Sequence, residues 1–359
     1  MGRVPARGRC PRNYTWRIKL TKDLGKSERD AIITKVITTV EKKHFDPHFD
    51  VKRWRAAVED RRAATLNADS NAEFENAVND LVRSFGTADS GFFHESTRKK
   101  VPKGLAARFQ YCQPNECAPA YTQATDAGDV LFSRLADGIG WLKVTKFPGA
   151  VGVDIAKQID RAIQELNGCS RLIIDLRGNA GGGLAFLRVM SYLTPERVPV
   201  GYSVTRARAE TEYSKEGLAK FDRIPSRKIE LVLLALKFGF RDDSVSIVTE
   251  GLGPKPFHRR VVVVVDDTTT GAGERIAAFA QERKLAPVVG SRTAGRLICC
   301  SVYKIAHGYY VRVPARAWYT WRGDLLEGTG VEPDCRAEAT KGMSSDLPLE
   351  RAIGIAQGL

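Results

Sequence analysis

Residues 172–183 read LIIDLRGNAGGG, an apolar run that closes on Asp175 and Arg177 and then delivers three glycines in a row. Leu172–Leu176 has the length and uniform apolarity of a strand buried on both faces. Glycine carries no Cβ, so a run of three lets backbone N–H groups come close to a ligand. Amides of that kind bind phosphate or stabilise an oxyanion. The stretch is no nucleotide loop, because no Gly-Lys-Ser/Thr follows and G-x-G-x-x-G spacing is missing. Asp175 and Arg177 read as a structural ion pair at the strand end.

Outward from this stretch, strands and helices alternate. Ile139–Val144 reads as a strand. GVDIAKQIDRAIQEL (152–166) reads as a helix with Ile155, Ile159, Ala162, Ile163 and Leu166 on one face. Val261–Val265 is a second buried strand, Gly273–Arg283 a helix and Ala286–Gly290 another strand. This alternation predicts an α/β core with largely parallel pairing. Residues 27–85 predict a helical N-terminal domain. Ser27 with Asp30 suggests a capping box, Ile32, Ile33, Val36, Ile37 and Val40 share a face, and helices follow over Val51–Ala64 and Asn71–Phe85. The expected organisation is a basic extension (1–26), the helical domain (27–85), a connecting segment (86–137), the α/β domain (138–340) and a tail (341–359). Within the α/β domain, 200–257 is expected as an insertion packed over the core.

Composition bounds the function. The chain has 359 residues, 43% hydrophobic and 27% charged, as in an ordinary globular protein. No apolar run approaches the ~20 residues that span a bilayer. The basic N-terminal stretch lacks the apolar centre of a secretory signal, so a cytoplasmic location is the default expectation, with export left open. A net charge of +14 raises the question of nucleic acid. The basic residues are scattered, without basic blocks or aromatic interleaving, and read as a solvated surface. Seven cysteines without histidines at metal-ligand spacing point to thiols, with a Cys112–Cys117 bridge as the lesser option, and to no metal or other cofactor.

LIIDLRGNAGGG, VVVVVDDTTTGAGE (261–274), GSRTAGR (290–296) and EGTGVEPD (327–334) together resemble the C-terminal-processing (tail-specific) serine peptidases, a family that includes tricorn-type proteases. The motifs occur in the family's order and at about its spacing, and SFGTADSGFF (84–93) resembles its front end. The resemblance spans most of residues 27–340. It implies a Clp-protease/crotonase-like fold, serine-type peptidase chemistry and a polypeptide ligand. It also implies roles position by position. The nucleophilic serine of T-A-S-A-x-E falls on Gly271, which has no hydroxyl. The lysine base of some members falls on Arg296, and the histidine base of others on Asp89. Gly181, Gly182 and Ala272 match the oxyanion amides, and Glu274 and Glu327 match acids that orient the base. Many members carry a peptide-binding PDZ domain after the front end, and the segment 86–137 is too short for one.

An arginine stays protonated and cannot act as a base, and an aspartate would need strong desolvation to act near neutrality. The expectation is therefore a family member that has lost catalysis and keeps a groove for a peptide or an unfolded protein segment. The alternative is an active hydrolase with another nucleophile or base. For that alternative Thr268, Thr269 and Thr270 adjoin the corner but read as structural, and His94 near Asp89 reads as a packing or surface residue. Ser301 follows two cysteines on an expected strand and has no partner in the sequence pattern. A charge-driven nucleic-acid role ranks behind both.

Overall fold

The computed structural model describes residues 23–85, 90–96, 128–226, 244–253, 260–338 and 346–358, with the single positions 230 and 233. Asp89 and the Cys112–Cys117 pair lie outside the described residues, as do 1–22 of the basic extension and 86–89 and 97–127 of the connecting segment. Three helices open the chain: α1 (Lys26–Lys43), α2 (Val51–Leu66) and α3 (Asn71–Phe85). The α1 cap differs from the Ser27/Asp30 expectation. The helix starts two residues earlier, and the Glu28 carboxylate accepts the Gly25 N–H at 2.8 Å, because Glu28 is the third helical residue from that start. At α2, Asp50 accepts the Arg53 N–H at 2.9 Å.

The helices pool Ile32, Val36, Trp54, Phe74 and Val78 into one apolar cluster with Phe92, Tyr309 and Val311 of an adjoining sheet. That sheet runs in the order β1 (Gly91–His94), β11 (Tyr309–Thr320), β5 (Pro199–Thr205), β7 (Val245–Val248), β6 (Ala219–Phe221), with β10 (Cys299–Lys304) also on β11. Of residues 200–257, expected as an insertion packed over the core, the described ones supply β5 after its first residue, β6 and β7 of this sheet. Their strands are short and interrupted, which is why periodicity missed them. β11 changes neighbours along its length, meeting β1 over 309–312 and β5 over 316–320. Pro314 falls in the gap, where its missing N–H costs no ladder bond on that side, and its carbonyl accepts the Phe45 N–H at 2.8 Å.

The second sheet runs β12 (Cys335–Arg336), β9 (Val288–Gly290), β8 (Arg260–Val265), β4 (Arg171–Asp175), β3 (Ile139–Val144), β2 (Val130–Arg134), parallel except for β2. One face is covered by α4 (Val153–Glu165), α5 (Phe186–Leu193) and α6 (Ala272–Glu282). On the other, α7 (Leu347–Gln357) brings Ala352 and Ala356 onto Ile173, Val262 and Val264. Burial on both faces explains the unbroken apolar runs of β4 and β8. No helix among the described residues is long and apolar enough to cross a membrane. The carboxyl ends of β3, β4, β8 and β9 open on one side of this sheet, the position where α/β sheets place ligands.

Trp54 is fully buried and its ring meets Phe85 edge-on at 5.2 Å. Trp54→Ala should destabilise the protein by about 3–5 kcal/mol. Urea unfolding would measure this, and a loss below about 1 kcal/mol would contradict the packing.

Candidate functional site

The glycine loop begins with a turn over Leu176–Asn179, closed by the Asn179 N–H on the Leu176 carbonyl at 2.9 Å, with Gly178 at φ +71°. Arg177 pairs with both oxygens of the fully buried Asp175, at 2.9 and 2.7 Å, and reaches Asp346 before α7 at 2.6 Å. This is the structural ion pair that the sequence suggests. The three glycines answer mainly to the protein's own chain. A Cβ on Gly182 would overlap the Phe147 carbonyl oxygen, and one on Gly183 the Gly149 carbonyl oxygen. Close approach is thus between backbones, and only partly toward a ligand. Of the three expected oxyanion amides, that of Gly181 donates to Asn179 Oδ1 at 3.0 Å. Those of Gly182 and Ala272 have no acceptor among the described residues.

Opposite the loop, β8 turns into α6 through Gly271, at φ +50° and ψ −99°. This backbone conformation is strained for any residue with a Cβ. The Gly271 N–H is shared between Glu274 Oε2 at 2.8 Å and the Arg296 carbonyl at 3.1 Å. A Cβ at 271 would meet only Gly181 Cα and the Arg296 carbonyl oxygen, both at 3.5 Å, so space for a side chain remains although none is present. A Cβ on Gly181 would lie 3.6 Å from Ala272 N, in ordinary van der Waals contact.

The neighbouring hydroxyls are occupied. Thr268 donates to Asp266, Thr269 to the Leu176 carbonyl and Asp266, and Thr270 to the Asn179 carbonyl. These are the structural roles expected of the three threonines.

Glu274 ties the corner together. Its carboxylate is fully buried and accepts four bonds: from Gly271 N and Arg296 N on Oε2, and from Thr293 Oγ1 at 2.7 Å and Gly295 N at 2.6 Å on Oε1. Burial pushes this carboxyl above its ordinary range, and the four donors pull against that shift. Glu327 Oε2 accepts the next two amides, Leu297 at 2.6 Å and Ile298 at 2.8 Å. Residues 293–298 are thus pinned by two carboxylates. Arg296 is half-buried, and its guanidinium makes no hydrogen bond or ion pair among the described residues.

The structure therefore brings Gly181, Gly182, Gly271, Ala272, Glu274, Arg296 and Glu327 together. His94 sits elsewhere, on β1, with its ring between Ser96 Oγ and the His307 carbonyl. Ser301 is buried on β10. Sequence reading missed Asn179, Asp266 and Thr293, all of which hold the corner. Their only signal was a polar side chain just after a buried strand. Among the described residues no group of three or more His, Cys, Asp or Glu could hold a metal ion.

Glu274→Gln turns an acceptor into a donor facing N–H groups and should cost about 1–3 kcal/mol. Because burial raises the folded-state value, the stability owed to Glu274 is full below the ordinary carboxylate range and falls as pH rises through that raised value. The wild-type-minus-variant difference, measured by denaturation across pH, should therefore shrink toward alkaline pH.

Residues 138–337 match the model of Peptidase family S41. The carboxy-terminal processing protease CtpA of Bacillus subtilis is 24% identical over 211 residues, covering 58% of this chain and 37% of that protein. The carboxyl-terminal-processing protease of Synechocystis is 23% identical, covering 56% of this chain and 38% of that protein. The chain thus spans less than half the length of these relatives. Among solved structures, a lipoprotein from Streptococcus agalactiae superposes with a TM-score of 0.59 at 13% identity, over 92% of this chain and 96% of that one. The photosystem II D1 C-terminal processing protease superposes with a TM-score of 0.56 at 15% identity, over 91% and 97%. The α/β fold, with its helical front, is the one shared with these proteins, and the chain belongs to peptidase family S41.

Proposed function

We propose that this chain binds an extended polypeptide segment at the Gly271 corner and does not cleave it. The observation that carries the reading is the corner itself: a sharp strand-to-helix turn whose backbone a Cβ would strain, at which residue 271 offers no attacking atom. Formation of an acyl-enzyme needs a hydroxyl oxygen to bond the scissile carbonyl carbon and a base to take its proton. The threonine hydroxyls nearby are spent on the corner, and the Arg296 guanidinium is a permanent cation with no proton-accepting lone pair.

What remains is a place to hold a carbonyl or a chain-terminal carboxylate. Among the described residues the Gly182 and Ala272 N–H groups are open donors, the second at the positive end of α6. The names of the relatives, which process carboxyl termini, support a polypeptide as the ligand class.

Fluorescein-labelled casein tests the reading. Anisotropy should rise on mixing with the protein, while the casein stays intact on a gel. Turnover that a serine-directed reagent abolishes would overturn the proposal.

Restoring the hydroxyl gives a second prediction. Gly271→Ser alone should lose about 1–3 kcal/mol, because serine must adopt the positive φ. Combined with Asp89→His, it should gain measurable casein hydrolysis over the wild type. A folded double variant without turnover would mean that the open amides are not arranged for acyl transfer.

A further inference from the structure

Asn179 is fully buried where three parts of the site meet. Its Nδ2 donates to the Val144 carbonyl at the end of β3, at 2.7 Å, and its Oδ1 accepts the Gly181 N–H at 3.0 Å. Its main-chain carbonyl accepts both the N–H and the hydroxyl of Thr270, at 2.8 and 3.2 Å, directly before the Gly271 corner. Its Cβ and Cγ would lie 3.2 Å from a Cβ on Gly273, so the side chain also packs under the first turn of α6.

Two bonds fix the glycine loop. Asn179 takes the Gly181 N–H, and the Phe147 N–H donates to the Gly181 carbonyl at 2.8 Å. In a trans peptide the Gly182 N–H points opposite to the Gly181 carbonyl, so it is turned away from Phe147 and left as an open donor. A side-chain amide suits position 179 because it donates to one backbone group and accepts from another without charge. Leucine would satisfy neither group, and an ionised aspartate would set an oxygen against the Val144 carbonyl.

We propose that Asn179 is the positioning residue of this site: its side-chain amide orients the glycine loop so that the Gly182 N–H stays available to a polypeptide carbonyl. The identity of the bound group rests on the proposed function; the orientation of the loop does not.

The test uses the full chain labelled with 15N-glycine, in wild type, Asn179→Ala and Asn179→Asp. In Asn179→Ala the Gly181 and Gly182 amide resonances should move, and fluorescein-casein should bind about tenfold more weakly, the equivalent of one lost hydrogen bond. Asn179→Asp should behave alike when ionised. As pH is lowered, the protonated carboxyl can again donate to Val144 and accept from Gly181, so the resonances and the casein affinity should return toward the wild type. This acid rescue decides the matter even if Asn179→Ala does not fold. A Gly182 resonance that stays in place in either variant, or lower melting temperatures without acid rescue, overturns the proposal and leaves Asn179 a structural residue. Acid-rescued resonances in a protein that binds no casein would support the positioning role and reject the polypeptide ligand.

Discussion

The buried carboxylate of Glu274 holds the candidate site in one arrangement. It sits in the first turn of α6 and gathers donors from its own helix start and from the loop after β9. An ionised carboxylate without water is costly unless hydrogen bonds replace its hydration, and four donors do so here. Backbone ties between the two stretches also include the Gly271 N–H on the Arg296 carbonyl and the Ala294 N–H on the Thr269 carbonyl. The corner's geometry is thus set by an acid whose two oxygens are engaged by four donors. This explains how the turn holds a backbone conformation that a Cβ at residue 271 would strain.

The glycine loop follows a related logic from the other side of the corner. Its glycines let β4's continuation lie backbone to backbone on 147–150, and that close packing aims one amide outward. Asn179 and Asp266 complete the arrangement by accepting the amides of the buried Gly181 and the half-buried Gly178. Loop and corner also meet directly, through the Ala180–Thr270 bridge and the Thr270 N–H on the Asn179 carbonyl. Polar satisfaction therefore does in this site what apolar packing does in the two sheets. The scaffold can persist with or without a nucleophile.

Much of the fold was legible in the residue order because its strongest signals are local. Leu172–Leu176 and Val261–Val265 are uninterrupted apolar runs, and the Ile155/Ile159/Ala162 spacing places α4's buried face on the sheet. The second sheet was harder to read. Its strands β5, β6 and β7 are short, and β11 carries Pro314, whose place in a strand makes sense only once the change of neighbours from β1 to β5 is known. The α1 cap shifted from Ser27 to Gly25 because a well-placed Glu28 can define the first turn as well as a hydroxyl can.

By itself, the sequence determined the chemistry available at each position: no hydroxyl at 271, a permanent cation at 296, acids at 274 and 327, glycines at 181–183. Side-chain chemistry is a property of the residue and needs no fold to be known. Which backbone amides stay open among the described residues, that of Gly181 being taken and those of Gly182 and Ala272 not, was decided only by tertiary structure. The direction of an N–H depends on the peptide planes around it, and those are set by Phe147, Asn179 and Glu274 arriving from separate parts of the chain.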